Sequence, residues 1–330
     1  MKKRIEYIDL AKGICIFLIV IQHVTYYYHI EYPFQKMIES FTLPLFFFLS
    51  GIFFKEYGGF LDFCIRKTNK LLVPFVAFFI LTVLLQDLVF NGGSGCIFFV
   101  CELLFHERLH YNYAIWFLPC LFEVSVLFYL LRKCLGTKSL CIVSFIIGIS
   151  GSLLCNFKID LPLYIDSAMM FLPFFAIGHL LNQNTKLLSG QPELKRDGIL
   201  ISVCFLSGYA FCNILSLNVY IQPLRFYLWG LLGTFMILLF ARLAKMVQPF
   251  SYWGRYSIII LCTHFAILIH VKRILLRFAL DGILGMWLNL AITMVLSTIC
   301  IPLFCKYLPV IVAQKDLFPT KVKLTKQSNE

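Results

Sequence analysis

An all-α, polytopic transmembrane bundle of about ten spans, with both termini cytoplasmic, is the fold class that this sequence predicts. Three observations predict it. Hydrophobic residues fill 60% of the 330 positions, charged residues only 14%, and the mean hydropathy is +0.84, whereas soluble domains are only about half apolar. Apolar windows close to the ~20 residues that a helix needs to cross a bilayer core recur along the chain. Lysine and arginine collect in alternate connections between those windows, which is the pattern of cytoplasmic loops.

The windows run at 8–30, 38–54, 71–90, 114–131, 139–156, 163–181, 198–217, 225–244, 256–271 and 283–305. The N-terminus is Met-Lys-Lys-Arg, but the apolar run behind it is too long for a signal-peptide core and shows no small-residue cleavage site, so it reads as an uncleaved first span. The second window is the shortest and rests on Leu43-Pro-Leu-Phe-Phe-Phe-Leu-Ser-Gly-Ile-Phe-Phe54. One set of connections, together with the tail, holds 22 of the 29 basic residues. The alternate set holds only Lys36, Arg108, Lys158, Arg225, Lys272, Arg273 and Arg277. This asymmetry places Lys12 on the cytoplasmic side. Residues 1–310 read as one transmembrane domain and 311–330 as a basic cytoplasmic tail.

Two function classes are excluded at this level. The formal charge of +12 is scattered over short connections instead of forming one basic patch with interleaved aromatics, so no nucleic-acid partner is expected. The thirteen cysteines include no C-x-x-C pair and read as small packing residues, not as a disulfide framework or a metal site. No Gly-x-Ser-x-Gly elbow is present, which argues against serine chemistry of the α/β-hydrolase type. Ser50-Gly51 and Ser257 read as helix-packing groups.

The polar residues inside apolar windows carry the chemical argument. Lys12 and His23 are eleven residues apart, about three turns and roughly 16 Å of rise, so they share one face of the first helix. An ionisable group in mid-bilayer is expensive and faces the bundle interior or a watered cavity. Glu123 and His264 stand near the middle of their own windows, and His23, Glu123 and His264 are expected to line one cavity. Asp9 lies one turn before Lys12. Arg66-Lys67-Thr-Asn-Lys70, followed by Leu-Leu-Val-Pro74, adds cations at the cytoplasmic mouth, where they suit a phosphate-bearing ligand or simply anchor a helix.

Two further features have competing readings. Lys272, Arg273 and Arg277 lie on the cation-poor side, where they either snorkel to lipid headgroups or meet an anionic or sugar-bearing acceptor. Asn91-Gly-Gly-Ser-Gly95 lacks the lysine of a phosphate loop and reads as a breaker. Behind it, Glu102, His106 and His110 oppose Ile97, Val100 and Leu104 in the pattern of an interfacial helix. His106-Glu107-Arg108-Leu109-His110 also spells H-E-x-x-H, the zinc hydrolase pattern, although spacing supplies no third ligand, and no metal is expected.

In order along the chain, several motifs resemble those of the acyltransferase-3 family of integral membrane acyltransferases. Arg4-Ile-Glu-Tyr-Ile-Asp9-Leu-Ala-Lys12-Gly13 with His23 resembles its opening, Leu43 to Gly51 its second-span motif, and Arg66-Lys67 through Lys70 to Pro74 its basic motif. Trp116-Phe-Leu-Pro119, Phe174-Phe-Ala-Ile-Gly178 and Gly254-Arg-Tyr-Ser257 to His264 resemble later landmarks. The likeness covers about residues 4–305. It implies a multi-pass protein of the bacterial inner membrane that moves an acyl group, commonly acetyl, from cytoplasmic acyl-CoA to a hydroxyl of a carbohydrate or lipid-linked envelope glycan. His23 corresponds to the catalytic histidine and Lys12 to the basic partner at the CoA end, where the family usually carries arginine.

The expected mechanism places the CoA phosphates on Lys12, Arg66, Lys67 and Lys70. Neutral His23 then serves as general base or transient acyl carrier, with Glu123 or Asp9 orienting it. His264, Arg273 and Arg277 are the candidate acceptor contacts. A transporter or flippase of a polar or lipid-linked solute also places His and Glu in mid-membrane. A zinc hydrolase and a purely structural membrane protein are the remaining alternatives.

Overall fold

The computed structural model describes residues 6–32, 34–86, 112–183, 192–214 and 222–320. Asn91–Gly95, the expected interfacial helix with Glu102, the H-E-x-x-H stretch of His106, Glu107 and His110, and residues 321–330 of the tail lie outside them.

The described chain is all-α. Its helices are α1 (Glu6–Tyr27), α2 (Gln35–Ile52), α3 (Phe60–Lys67), α4 (Val73–Gln86), α5 (Phe117–Cys134), α6 (Thr137–Asn156), α7 (Ile165–Gln183), α8 (Leu194–Ile214), α9 (Gln222–Ala244), α10 (Phe250–Arg255), α11 (Ser257–Arg277) and α12 (Gly282–Tyr307). A π turn, Thr68–Leu72, joins α3 to α4, and a 3-10 turn, Tyr113–Trp116, leads into α5. Among the described residues, seven segments are long and apolar enough to cross a membrane: Glu6–Tyr27, Phe60–Leu85, Tyr113–Cys134, Thr137–Asn156, Gln222–Ala244, Ser257–Arg277 and Gly282–Tyr307. The other three expected spans are helical as well, in α2, α7 and α8. They differ for visible reasons: α2 opens on Gln35, Lys36 and Glu39, α7 is apolar over the shorter stretch Ile165–Leu181, and α8 opens on Lys195-Arg196-Asp197.

The core is built largely from phenylalanine. Phe47, Phe48, Phe63, Phe78, Phe79, Phe128, Phe174 and Phe175 are among the largest fully buried side chains. Phe47 and Phe171 stack with ring centroids 4.3 Å apart, and Phe128 meets Phe175 at 5.0 Å. In lipid, where helix association gains little from the hydrophobic effect, such close packing carries much of the attraction.

Glycine permits two close helix crossings. A Cβ on Gly13 of α1 would lie 1.8 Å from the Phe250 carbonyl oxygen, and one on Gly254 of α10 would lie 1.7 Å from the Asp9 carbonyl oxygen. In the same way a Cβ on Gly51 of α2 would meet the Phe175 oxygen at 2.0 Å, and one on Gly178 of α7 the Phe48 oxygen at 2.0 Å. Both crossings are backbone on backbone, as small residues permit. They fix α1 against the short α10, which leads directly into α11, and α2 against α7.

A buried ion pair ties α8 to α9. Asp197 is fully buried and accepts hydrogen bonds from Arg242 Nη2 at 2.8 Å and from the Glu193 backbone N–H at 3.2 Å, while Arg196 adds a second guanidinium at 2.9 Å. The ten cysteines whose side chains are described are free thiols.

Candidate active site

Because α1 is packed against both α2 and α11, the polar residues on its face are held between helices instead of facing lipid. His23 is half-buried there. Its ring lies 5.3 Å from the ring of His264, inclined by 33°, with Phe265 edge-on at 5.4 Å and Tyr113 edge-on at 5.8 Å. Two of the three expected cavity residues are thus brought together. His264 is fully buried, and its Nδ1 lies 2.7 Å from the Ile260 carbonyl oxygen. A carbonyl only accepts, so the Nδ1 proton is donated to it and Nε2 carries the lone pair. That Nε2 is buried with no hydrogen-bond partner among the described residues.

Glu123 points elsewhere. Its Oε1 accepts a hydrogen bond from the Tyr164 backbone N–H at 3.4 Å, and its Oε2 is buried. Helical phase placed it at the right depth, but the connection between α6 and α7 claims it. Asp9 contributes its backbone carbonyl to the Gly254 crossing.

Two cavities lie near the histidine pair, although neither is lined by His23 or His264 themselves. The first, of about 160 Å³, is lined by Lys12, Ile16 and Ile19 of α1, Ser50 of α2, Leu71 of the π turn, Leu121 of α5, and Ser257 and Leu261 of α11. Lys12 Nζ lies 5.6 Å from the centroid of the Phe53 ring. Ile19 stands four residues before His23 and Leu261 three before His264, so the inner end of this cavity lies one helical turn from both rings. Ser50 and Ser257, expected to be packing groups, line this cavity. Gly51, beside Ser50, is the residue that packs.

The second cavity, of about 320 Å³, is lined by Glu39, Leu43, Tyr113, Trp116, Asp160, Tyr164, Asp166, Phe171 and Phe226, among others. Leu43 borders both cavities. Tyr113 borders the second and touches His23. The histidine pair is thus one turn from an apolar passage headed by a lysine and is linked through Tyr113 to a wider chamber of carboxylates and aromatic faces. Sequence reasoning missed this chamber. Its residues come from four helices and from the connections ahead of α5 and α7, and the one visible signal was Trp116, which opens the Trp116-Phe-Leu-Pro119 motif.

The basic motif lies at the Lys12 end but is largely engaged within the protein. Arg66 Nε pairs with the buried Asp62 at 2.8 Å, and its guanidinium lies 4.7 Å from the Tyr57 ring. Lys67 Nζ lies 5.6 Å from the Phe63 ring. Lys70 Nζ donates to the Ala313 carbonyl at 2.6 Å and pairs with Asp316 at 3.2 Å. Asn69, fully buried in the π turn, accepts from the backbone N–H groups of Leu317 and Phe318 and donates to the Phe318 carbonyl, at 3.0, 2.8 and 2.8 Å. The described part of the tail is thus pinned beside the basic motif. A π turn leaves helical backbone out of register and commonly marks a functional position.

Lys272 donates to the Tyr27 carbonyl and lies over the rings of Tyr27 and Tyr28, tying α11 to the end of α1. Arg273 and Arg277 are exposed on α11 and line neither cavity. Among the described residues no three His, Cys, Asp or Glu side chains converge as a metal site.

Comparison with known proteins gives one match. Residues 5–306 match the acyltransferase-3 family model, described as an acyltransferase domain. No curated protein and no solved structure matches.

Proposed function

Since the chain belongs to the acyltransferase-3 family and is a multi-pass membrane acyltransferase, we propose that it moves an acetyl group from cytoplasmic acetyl-CoA to a hydroxyl of a carbohydrate or lipid-linked glycan in the bacterial inner membrane. The observation that supports this reading is the His23–His264 ring pair, one helical turn from the Lys12 passage and in contact through Tyr113 with the lining of a second, unlike cavity that shares Leu43 with the first.

The passage headed by Lys12 suits a long, thin donor, with a cation at its mouth, two hydroxyl-bearing side chains along it and apolar walls inward. Lys12 supplies a point charge for the donor phosphates, without the bidentate fork of an arginine. The roughly 16 Å of helix rise to His23 is the length over which the donor's arm extends. The wider chamber suits a saccharide: carboxylates accept hydrogen bonds from hydroxyls, and aromatic faces pack on the apolar faces of a ring.

In the transfer, neutral His23 takes the proton of the acceptor hydroxyl as its oxygen attacks the thioester carbonyl. The new C–O bond forms, the C–S bond breaks, and the CoA thiolate leaves and takes the proton from the imidazolium, which restores neutral His23. His264, its tautomer fixed by Ile260, lies 5.3 Å from that ring and carries its lone pair on Nε2. Family membership favours acyl transfer over transport. The test uses purified protein, acetyl-CoA labelled in its acetyl group and membrane glycan. Free thiol should appear in step with alkali-labile label on the glycan, and thiol release no faster than without glycan would overturn the reading.

A further inference from the structure

Next to the acidic chamber lies another cavity, of about 330 Å³, which shares Glu39, Met170 and Phe226 with it. Its remaining walls are of different character. Lys36 and Arg225 line it together with Ser40, Ser152, Asn156 and Gln222. These two cations come from the cation-poor side of the protein, where the sequence places only seven of the 29 basic residues. Both open on one cavity, surrounded by four side chains that carry hydroxyl or amide donors.

The adjoining chamber has the opposite balance, with Glu39, Asp160 and Asp166 on its walls and no lysine or arginine. Three carboxylates repel an anion and accept hydrogen bonds from hydroxyls, whereas guanidinium, ammonium and hydroxyl groups are the donors that hold carboxylate and phosphate oxygens. The volumes fall in the range of small-molecule sites, and the shared wall makes one divided compartment. Glu39 stands on that wall, held through Oε1 by Gln35 at 2.8 Å.

We propose that the acceptor is an anionic saccharide: its hydroxylated ring occupies the chamber beside His23, and its carboxylate or phosphate lies against Lys36 and Arg225. This rests on the acyl-transfer reading for the identity of the compartment, and it adds a charge to the acceptor. Like charge separates the two halves of the ligand. The cationic subsite fixes which hydroxyl is presented to His23.

The test is equilibrium binding to the purified full-length protein without acetyl-CoA, titrating glucose, glucuronic acid and glucose 1-phosphate. At least one of the charged sugars is expected to bind at least tenfold more tightly than glucose, and the better of the two identifies the anion. Lys36→Gln, at an exposed position, and Arg225→Gln should each cut that preference to threefold or less while leaving glucose affinity unchanged. Equal binding of charged and neutral sugars, no binding of either charged sugar, or a preference that survives in Lys36→Gln would each overturn the proposal. Because the measurement omits the donor, a protein that prefers the charged sugar yet releases no thiol from acetyl-CoA keeps this inference and loses the catalytic one.

Discussion

The imidazole rings of His23 and His264, carried by α1 and α11, lie with centroids 5.3 Å apart and planes inclined by 33°. The bond from His264 Nδ1 to the Ile260 carbonyl leaves a lone pair on the buried Nε2, so the second ring acts on the first as a fixed, neutral neighbour. His264→Ala is expected to lower kcat by about 10²-fold, the lower end of what a positioned acid–base pair contributes, with KM for acetyl-CoA unchanged. His264→Asn, which retains a polar side chain able to donate to the carbonyl, should recover part of that loss. A fall in stability with kcat per folded molecule preserved would assign His264 to packing alone.

Lys12 heads the narrow passage. Lys12→Ala should raise KM for acetyl-CoA about tenfold, equivalent to about 1.4 kcal/mol of binding, and leave kcat within twofold. Lys12→Arg should retain or improve affinity, because the guanidinium adds a bidentate fork. An unchanged KM in Lys12→Ala contradicts the donor role.

The pairing of Lys70 with Asp316 sets the tail against the donor end of the bundle. If Lys70 also meets donor phosphates, Asp316→Asn should lower KM for acetyl-CoA by about twofold at low salt, since an exposed pair is worth up to ~1 kcal/mol and is screened by ions. An effect that persists undiminished in 1 M salt would show that it is not electrostatic.

A Cβ on Gly254 would lie only 1.7 Å from the Asp9 carbonyl oxygen. Gly254→Ala must therefore push α10 off α1, and overpacking of this kind costs on the order of 1–3 kcal/mol. Thermal denaturation in detergent should show a lower midpoint, and activity should fall with it because α10 leads into the helix that carries His264. Wild-type stability and activity would contradict the backbone contact.

The share of this site that was legible in the sequence follows from what periodicity can report. Lys12 and His23 lie on one helix, so their common face follows from 3.6 residues per turn, and the structure sets Lys12 in a passage that ends one turn from His23. His23 and His264 sit on different helices, and only their shared depth could be argued. Glu123 had the same depth argument and is instead held by Tyr164, because depth says nothing about rotation around the bundle. The cationic motif read as a ligand site from composition, yet Arg66 and Lys70 are paired with Asp62 and Asp316, the latter 246 residues away. The acidic and cationic chambers are assembled from several helices, and no period runs from one helix to another. In the fold, the helices were visible as apolar windows, while the glycine crossings that set their spacing were visible only as motif letters.

The central claim is that His23 performs the proton transfer. The most direct measurement is acetyl transfer by purified His23→Ala, with thiol release and label on the glycan followed together and folding checked by thermal midpoint. Transfer should drop by at least 10³-fold, within the span that general acid–base catalysis supplies, while KM or affinity for acetyl-CoA stays within about twofold. A folded His23→Ala protein that transfers acetyl at the wild-type rate would contradict the account.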